Sequence, residues 1–408
     1  MKALVLAGGF PQIALIKELK RRGIKILLAD YNSNPVAKEH ADEFYQISTL
    51  DIDAITELAR ENKVDFLITA CTDQALLTVA KVSEDLKLPC YIDYETALKV
   101  TNKLYMKKTF ENAGIPTAKH IIAESIEEVE TNTMKHPLVV KPVDCNSSKG
   151  VKKVYNHKEL EEAFFEAIQL SRTKKAVIEE YIDGREISVD VQVEDGIAKV
   201  LSMSYSDKIA ADDKFIIFRA QYPIRESEVI KNRICDIAQQ IADAFRLKDS
   251  PMLIQMLCDG QNIYVLEFSA RTGGGVKYIL IEQVSGFDVI SAVVDLTLDK
   301  KVHVETQAAQ SKYLNNVFLY CYPGEFDHLE GFDEMKNRGV ISDFYLFKPK
   351  GAEMTGVTSS GDRIAGFTIL AESEQELHEK YREVASAIKV IDVLGNDILR
   401  RDLLDIPK

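Results

Sequence analysis

The chain has 408 residues, of which 46% are hydrophobic and 28% are charged, so its composition is that of a globular protein with ample core residues. Its 51 basic and 64 acidic side chains give a net charge of −13, which argues against nucleic-acid and anionic-membrane partners. No stretch approaches the ~18 apolar residues of a membrane span. The six cysteines form no C-x-x-C pair and the seven histidines show no metal-ligand spacing, which disfavours a zinc site and predicts a cytoplasmic protein.

Residues 1–100 alternate apolar strands with amphipathic helices, which predicts a parallel sheet covered by helices. The opening MKALVLAGGF indicates a strand and a turn, and we expect no secretory signal because a long apolar core is lacking. Gly8-Gly9 after the first strand and Asp30 after the second leave open a dinucleotide site. The full G-x-G-x-x-G motif is absent, so a tight turn is the favoured interpretation.

A second unit is expected to begin with a helix that has Thr101 as its N-cap and ends at Gly114. The stretch PLVVKPVDCNSSKGVKKV, residues 137–154, predicts strand, polar loop and strand, with Lys141 at the end of the first strand. A surface hairpin with a snorkelling lysine would explain it. A phosphate clamp would explain it too, because the loop offers hydroxyls, backbone N–H groups and cations; the P-loop spacing is absent.

The strand AVIEEYIDGREI carries candidate nucleotide contacts. Glu179, Tyr181 and the backbone at Ile182 fall close together, and a carboxylate beside exposed strand backbone suits the amino group and ring nitrogen of an adenine. Glu186, beyond a glycine turn, suits a ribose. A charged strand edge without a ligand is the alternative for this segment alone.

The strand IYVLEFSARTGGG places Glu267, Ser269 and Arg271 at a two-residue period, so the three side chains project from one face. Two oxygen ligands and a guanidinium, followed by three glycines, suit a magnesium-bound triphosphate. Gln255 in the preceding strand PMLIQML is either a satisfied core glutamine or a further metal oxygen.

The order of these pieces over roughly residues 1–300 resembles the ATP-grasp superfamily of carboxylate–amine and carboxylate–thiol ligases. The resemblance implies a mixed α/β and α+β fold with three parts. These are an N-terminal Rossmann-like parallel-sheet domain at 1–100, an ATP-grasp domain at 101–300 whose lid covers about 115–183, and a C-terminal α/β subdomain at 301–408. The last part resembles, more loosely, the appended domain of biotin carboxylase and of purine-pathway members.

The resemblance also implies roles for individual residues. It assigns ATP contacts to Lys103, Lys141, Ser147, Ser148, Lys149, Gly150, Glu179, Tyr181, Ile182 and Glu186. It assigns metal ligation to Gln255, Glu267 and Ser269, catalysis to Lys141 and Arg271, and substrate contacts to Arg219, Gly273 and Gly274. Ser269 departs from the family, which usually has asparagine there, and Gln255 in place of an acid is similar to carbamoyl-phosphate synthetase. A surface arginine remains the alternative for Arg219.

The family resemblance implies an enzyme that uses ATP and Mg²⁺, with Mn²⁺ as a possible substitute. It would activate a carboxylate as an acyl phosphate and join it to an amine, releasing ADP and phosphate. An amino acid or small carboxylic acid is the favoured substrate. The alternatives are a purine-pathway or biotin-carboxylase-like enzyme that uses formate or bicarbonate, and a catalytically silent ATP-binding regulator. The expected partners are small-molecule substrates, without nucleic acid or membrane, and a homodimer is an open alternative to a monomer.

Overall fold

A computed structural model of the chain describes residues 1–130, 133–146, 148–209 and 215–404. Its first part is the predicted parallel sheet, in the strand order β3-β2-β1-β4. The strands are β1 (Lys2–Leu6), β2 (Lys25–Asp30), β3 (Glu43–Gln46) and β4 (Phe66–Ile68). The helices around them are α1 (Phe10–Arg21), α2 (Ile52–Glu61) and α3 (Asp73–Leu86).

Two short helices follow, α4 (Tyr94–Thr101) and α5 (Lys103–Ala113). The prediction of Thr101 as an N-cap is wrong, since Thr101 ends α4 and the side chain of Asn102 caps α5 by accepting a hydrogen bond from the Leu104 amide. Gly114 ends α5 in the left-handed conformation, as expected. The break at Asn102 turns the start of α5 toward the remainder of the chain.

A small antiparallel sheet comes next, in the order β5-β8-β6-β7. Its strands are β5 (His120–Ala123), β6 (Leu138–Pro142), β7 (Lys152–Val154) and β8 (Ala176–Glu180), and α6 (His157–Leu170) packs on it. The sheet falls within the predicted lid. Its β6–β7 hairpin carries the polar loop identified in the sequence, apart from Ser147, which lies outside the described residues.

The largest sheet has eight strands, all antiparallel, in the order β13-β12-β9-β10-β11-β14-β18-β16. Five of them come from the middle of the chain: β9 (Arg185–Glu194), β10 (Ile197–Lys208), β11 (Ile217–Tyr222), β12 (Ser250–Cys258) and β13 (Ile263–Ser269). The helices of this region are α7 (Glu228–Ala244), α8 (Lys277–Ser285) and α9 (Val289–Thr297).

The C-terminal residues complete this sheet and add a smaller one in the order β17-β15-β19. The strands are β14 (Tyr313–Leu319), β15 (Gly324–Glu330), β16 (Asp343–Leu346), β17 (Glu353–Met354), β18 (Ala365–Ala371) and β19 (Lys389–Asp392). The helices are α10 (Phe332–Asn337) and α11 (Glu374–Ala387). The expected appendage at 301–408 therefore shares a sheet with the middle of the chain, and its longest helix, α11, is followed by the short strand β19. None of the helices among the described residues has both the length and the apolar composition to cross a bilayer.

The side chains of strand β9 alternate between an apolar face and a polar face of this sheet. Ile187, Val189 and Val191 face the main core, which α5 and α7 also pack against. Ser188 and Asp190 alternate with them on the opposite face and are also buried. A buried polar face needs partners of its own, and the groups that cover it belong to the lid, the C-terminal strands and the end of the first sheet.

Candidate active site

Two adjoining cavities, of about 520 and 290 Å³, lie over the polar face of the large sheet. The larger one opens between the lid sheet and the large sheet. From the predicted set it collects Lys103, Lys141, Ser148, Lys149, Glu179, Tyr181, Ile182, Glu186, Arg219, Gln255 and Glu267. The smaller one is lined by Arg271 and Gly274 and shares Ser148, Gln255 and Glu267 with its neighbour. Residues from four parts of the chain thus meet in one place.

At one end of the larger cavity, Glu179 on β8 lies between two buried lysines. The Lys141 Nζ atom is 2.5 Å from Oε1 of Glu179, and the Lys107 Nζ atom is 3.0 Å from Oε2. Lys107 was not predicted from the sequence. It also donates a hydrogen bond of 2.6 Å to the Thr117 hydroxyl, which in turn donates to the Val265 carbonyl at 2.7 Å. These contacts join the lid strand to α5 and to β13.

The charge of this cluster is fixed by its surroundings. Burial alone would raise the pKa of Glu179, but the two lysines outweigh it and bring the pKa down to about 2. Burial and the Lys141 charge lower the pKa of Lys107, against the opposing effect of Glu179. Both carboxylate oxygens of Glu179 are thus occupied by lysines, and its Oε2 atom is buried.

Beyond β8, the chain turns into β9 through a segment whose backbone faces the larger cavity. The Tyr181 amide donates to the Pro137 carbonyl at 3.1 Å, whereas the Ile182 amide has no partner among the described residues. The Lys153 Nζ atom lies 3.8 Å from the centroid of the Tyr181 ring, and the Phe215 ring is 6.4 Å from the same centroid. The segment thus offers one free donor in a cavity that the Tyr181 and Phe215 rings also line, which suits a flat heterocycle.

The turn leads to Glu186, which lies 5% exposed beneath the same cavity. It passes through Gly184, where an added Cβ would lie 2.7 Å from the Cys258 carbonyl oxygen, so the close approach of the two strands requires glycine. Glu186 accepts a hydrogen bond of 2.9 Å from the Gln255 amide nitrogen and pairs with Lys208 at 2.6 Å. Its predicted contact with a ribose would have to share or displace these partners.

Where the two cavities meet, Glu267 on β13 pairs with Lys103 at the start of α5, with 2.9 Å between Oε2 and Nζ. Burial would raise the pKa of Glu267, but Lys103 and then Lys141 bring it below its ordinary value, so the carboxylate is charged. Its side chain is 34% exposed, which leaves it accessible from the cavities. Lys103 also donates to the Cys145 carbonyl at 2.9 Å and so joins α5 to the polar loop.

The residue that organises the smaller cavity, Asp73, was not predicted from the sequence. It is the first residue of α3, so it comes from the N-terminal part of the chain. Arg271 binds it with two hydrogen bonds, from Nε to Oδ1 at 2.8 Å and from Nη2 to Oδ2 at 2.5 Å. The Ser269 hydroxyl donates to Oδ1, and the Asn146 amide donates to Oδ2 at 3.1 Å. Arg271 is therefore oriented by Asp73.

This geometry agrees with comparisons to known proteins. A family model described as D-ala D-ala ligase C-terminus matches residues 108–305. The carbamoyl phosphate synthase large chain of Clostridium acetobutylicum is 24% identical over 364 residues, which cover 83% of this chain and 33% of that protein. The crystal structure of the L-amino acid ligase from Bacillus licheniformis has a TM-score of 0.80 at 21% identity, covering 96% of this chain and 98% of that one.

The matched region, residues 108–305, is of the ATP-grasp superfamily. The predicted family is confirmed for this region, and so is the predicted fold class. A further ATP-grasp structure is the biotin carboxylase domain of the Hydrogenobacter thermophilus 2-oxoglutarate carboxylase, in complex with MgADP, ADP and bicarbonate. It has a TM-score of 0.79 at 16% identity, covering 99% of this chain and 92% of that one. The chain spans only a third of the length of the carbamoyl phosphate synthase relative.

The metal implied by the ATP-grasp family would need oxygen ligands at the junction of the cavities. Gln255 and Glu267 stand opposite each other on β12 and β13, and both line the two cavities. Because Gln255 donates its amide hydrogen to Glu186, its carbonyl oxygen is the atom left for a cation. These hard oxygens fit Mg²⁺, whereas the Ser269 hydroxyl is already engaged with Asp73. Within the described ranges no cluster of three acidic, histidine or cysteine side chains is placed to bind a metal.

The predicted lid loop borders both cavities, since Asn146 and Ser148 line each of them. The Ser148 hydroxyl donates to the Phe215 carbonyl at 2.8 Å, which ties the loop to the residues before β11. Gly150 adopts a φ of +73° and does not line either cavity; an added Cβ would lie 2.6 Å from Leu170 Cδ1. Lys149 lines the larger cavity. The loop is thus tied to its surroundings through Cys145, Asn146 and Ser148, and its predicted mobility stays a prediction.

The predicted substrate residues separate into two places. Arg219 lines the larger cavity, where its Nε donates to Asp207 at 2.8 Å. Gly274 lines the smaller cavity. Gly273 lies just beneath it, because an added Cβ would come within 2.8 Å of Lys277 Cγ. The site roles of all these residues stay predictions.

Proposed function

We propose that this protein is an ATP-dependent ligase that activates a carboxylic acid as an acyl phosphate and joins it to an amine, releasing ADP and phosphate. The observation that carries the proposal is the pair of adjoining cavities with Glu267 at their junction. One cavity has the shape and groups for a nucleotide, and the other has an oriented arginine for an anion. A reacting group in the smaller cavity would lie next to the end of a triphosphate in the larger one.

The larger cavity suits ATP in a defined direction. The free Ile182 amide suits a ring nitrogen of adenine, and Glu179 borders the same cavity between its two lysines. Lys103 lies at the junction with Glu267 and suits the terminal phosphates. Lys141 forms an ion pair with Glu179. If it also contacted the phosphates, its positive charge would be shared between Glu179 and the phosphates.

The smaller cavity suits the acid. Its volume of about 290 Å³ is much larger than formate or bicarbonate requires, since one water occupies roughly 30 Å³ of liquid. An amino acid or another small organic acid therefore fits better than a one-carbon substrate. Arg271, held by Asp73, would present guanidinium N–H groups to the reacting carboxylate.

The reaction follows from this arrangement. A carboxylate oxygen attacks the γ-phosphorus, the bond to the β-γ bridging oxygen breaks, and ADP leaves. The amine then attacks the carbonyl carbon, and phosphate leaves with the former carboxylate oxygen. Mg²⁺, when bound at Glu267 and Gln255, would supply positive charge that neutralises the phosphate oxygens. The residues of the chain act mainly by positioning and by charge, since no dedicated base faces the junction among the described residues.

The proposal is tested by ADP release from the purified chain with a panel of carboxylic acids and amines, followed by labelling. With the acid labelled by heavy oxygen in its carboxylate, we expect one labelled oxygen in the released phosphate. AMP and pyrophosphate as products would indicate adenylation instead, and phosphate labelled only from water would indicate a simple ATPase.

A second candidate is an ATP-binding regulator without turnover. The contact of the Ser269 hydroxyl with Asp73 favours it, because that contact takes up one of three predicted metal ligands. ATP binding measured by calorimetry without any ADP release across the panel would support the regulator over the ligase.

A further inference from the structure

Arg363 brings an additional positive charge to the smaller cavity from the C-terminal part of the chain. It follows a 3₁₀ turn at Ser360–Asp362, is half-buried, and lines the cavity. Its Nε donates to the Tyr320 hydroxyl and its Nη2 to the Ile217 carbonyl, both at 3.2 Å. Its guanidinium carbon lies 3.7 Å from the centroid of the Phe318 ring. The side chain is therefore held in place by neutral groups.

The glycine run after Arg271 makes room for this guanidinium. Gly275 adopts a φ of +69°, and an added Cβ would lie 2.9 Å from the Phe318 ring and 3.2 Å from Nη1 of Arg363. The Nη1 group thus packs against the same short segment that carries Arg271. No partner for the Nη1 hydrogens is found among the described residues, so they remain available to a ligand.

The other cations on this cavity are neutralised, and Arg363 is not. Arg271 is paired with Asp73. Lys277 lies 3.4 Å from the buried Asp190 and donates to the Ser204 hydroxyl at 2.5 Å. For Arg363, no carboxylate within the described ranges lies at ion-pair distance. A half-buried guanidinium has lost part of its hydration, so an unmatched one at a cavity favours binding of an anion.

We propose that Arg363 binds a carboxylate that does not react, carried by one of the two substrates. The inference rests on the proposed function, because it takes the reacting carboxylate to be the one at Arg271. Because Nε and Nη2 are engaged, the Nη1 group is the donor left for the carboxylate, which it would bind through a charge-assisted hydrogen bond. The second carboxylate belongs either to the acid, which would then be a dicarboxylate, or to the amine, which would then be an amino acid.

The two sources are separated by matched substrates in the ADP-release assay. On the acid side, succinate is compared with succinamate, and L-glutamate with L-glutamine. On the amine side, L-alanine is compared with L-alaninamide. Mass spectrometry of the products shows from which substrate the unreacted carboxylate comes. We expect the wild-type protein to prefer the carboxylate over the amide on one side by tenfold to a hundredfold in kcat/KM, as for a hydrogen bond to a charged group.

Arg363→Gln is expected to reduce that preference to less than about threefold, and Arg363→Lys to keep part of it. The KM for ATP should change less than about twofold, since Arg363 does not line the larger cavity. Arg233→Gln is the matched control, because Arg233 is an exposed arginine on α7. A wild-type protein without preference, or a glutamine variant with an unchanged preference, would overturn the proposal.

A binding measurement separates failure of this proposal from failure of the proposed function. Succinate, L-glutamate and L-alanine are added to the protein loaded with Mg²⁺ and a non-hydrolysable ATP analogue, and the midpoint of thermal unfolding is recorded. If none of the pairs of acid and amine in the ADP-release assay is turned over, the proposed ligase function is refuted. Stabilisation of the wild-type protein but not of Arg363→Gln would still support the anion site, and equal responses of the two would refute it.

Discussion

Replacing Asp73 by asparagine should impair use of the acid and leave ATP binding intact. The variant keeps the shape of the side chain but removes the charge that receives two hydrogen bonds from Arg271. Each hydrogen bond to a charged group contributes about 1.5–3 kcal/mol, and breaking a buried ion pair costs about 3–5 kcal/mol. Because the two side chains are 12% and 13% exposed, we take about 3 kcal/mol, which corresponds to a loss of about 100-fold.

The assay is kcat/KM for the acid, from ADP release, beside the KM for ATP. We expect a fall of about 100-fold in the first and a change of less than threefold in the second, since Asp73 lines the smaller cavity only. Asp85→Asn is the matched control. Asp85 is at the other end of α3, where it forms a partly exposed pair with Lys81.

Two results would refute the reasoning. If Asp73→Asn kept its kcat/KM for the acid, Arg271 would be positioned without Asp73 or would not contact the acid. If the KM for ATP rose as much as the KM for the acid, the two cavities would not divide the substrates as proposed.

Three further predictions concern the larger cavity and its lid. Glu267→Gln should lower turnover at least 100-fold while ATP still binds, because hard Mg²⁺ prefers a carboxylate oxygen; near-normal turnover would mean that the metal is elsewhere. The pKa of Glu179 falls from 4.5 unfolded to about 2 folded, so its contribution to stability is complete above pH 4.5 and is lost as the pH falls toward 2. Acid unfolding of Glu179→Gln should therefore depend less steeply on pH over that range, and an unchanged slope would count against a charged Glu179. Amide exchange in residues 144–150 should slow when Mg-ATP is added, and full protection in the free protein would exclude a mobile loop.

The parts that the sequence predicted well are those whose pattern is local. Alternation of strands and helices predicted the parallel sheet, and a two-residue period placed Glu267, Ser269 and Arg271 on one face, of which Glu267 and Arg271 line the cavities. The strand patterns could not predict pairing partners. For that reason the C-terminal region was expected as an appendage, although β14 pairs with β11 in register and extends the same sheet.

The residues that the sequence analysis missed have a different property in common. The role of each depends on partners that are distant in the sequence. Asp73 follows a threonine at the start of a helix, a common place for an acid, and nothing nearby indicates that it meets Arg271. Lys107 looks like one more lysine on an amphipathic helix, yet it is fully buried against Glu179. Arg363 belongs to a region without a recognised motif. Burial of a charged side chain is the signal that would have identified these residues, and burial is known only once the fold is known.

The contact between Asp73 and Arg271 also has a consequence for synthesis, because 198 residues separate the two in the chain. At a typical rate of about 5–20 residues per second, Arg271 leaves the ribosome roughly 10–40 s after Asp73. The strands of the N-terminal sheet have time to pair in that interval, with Asp73 still hydrated and unpaired, although α9, which packs on one face of this sheet, is made later than Arg271. The smaller cavity can form only when β13 arrives and Arg271 closes against a surface already in place. A nascent chain stalled before residue 271 would therefore lack both the oriented arginine and the helix that completes one core face of the first sheet.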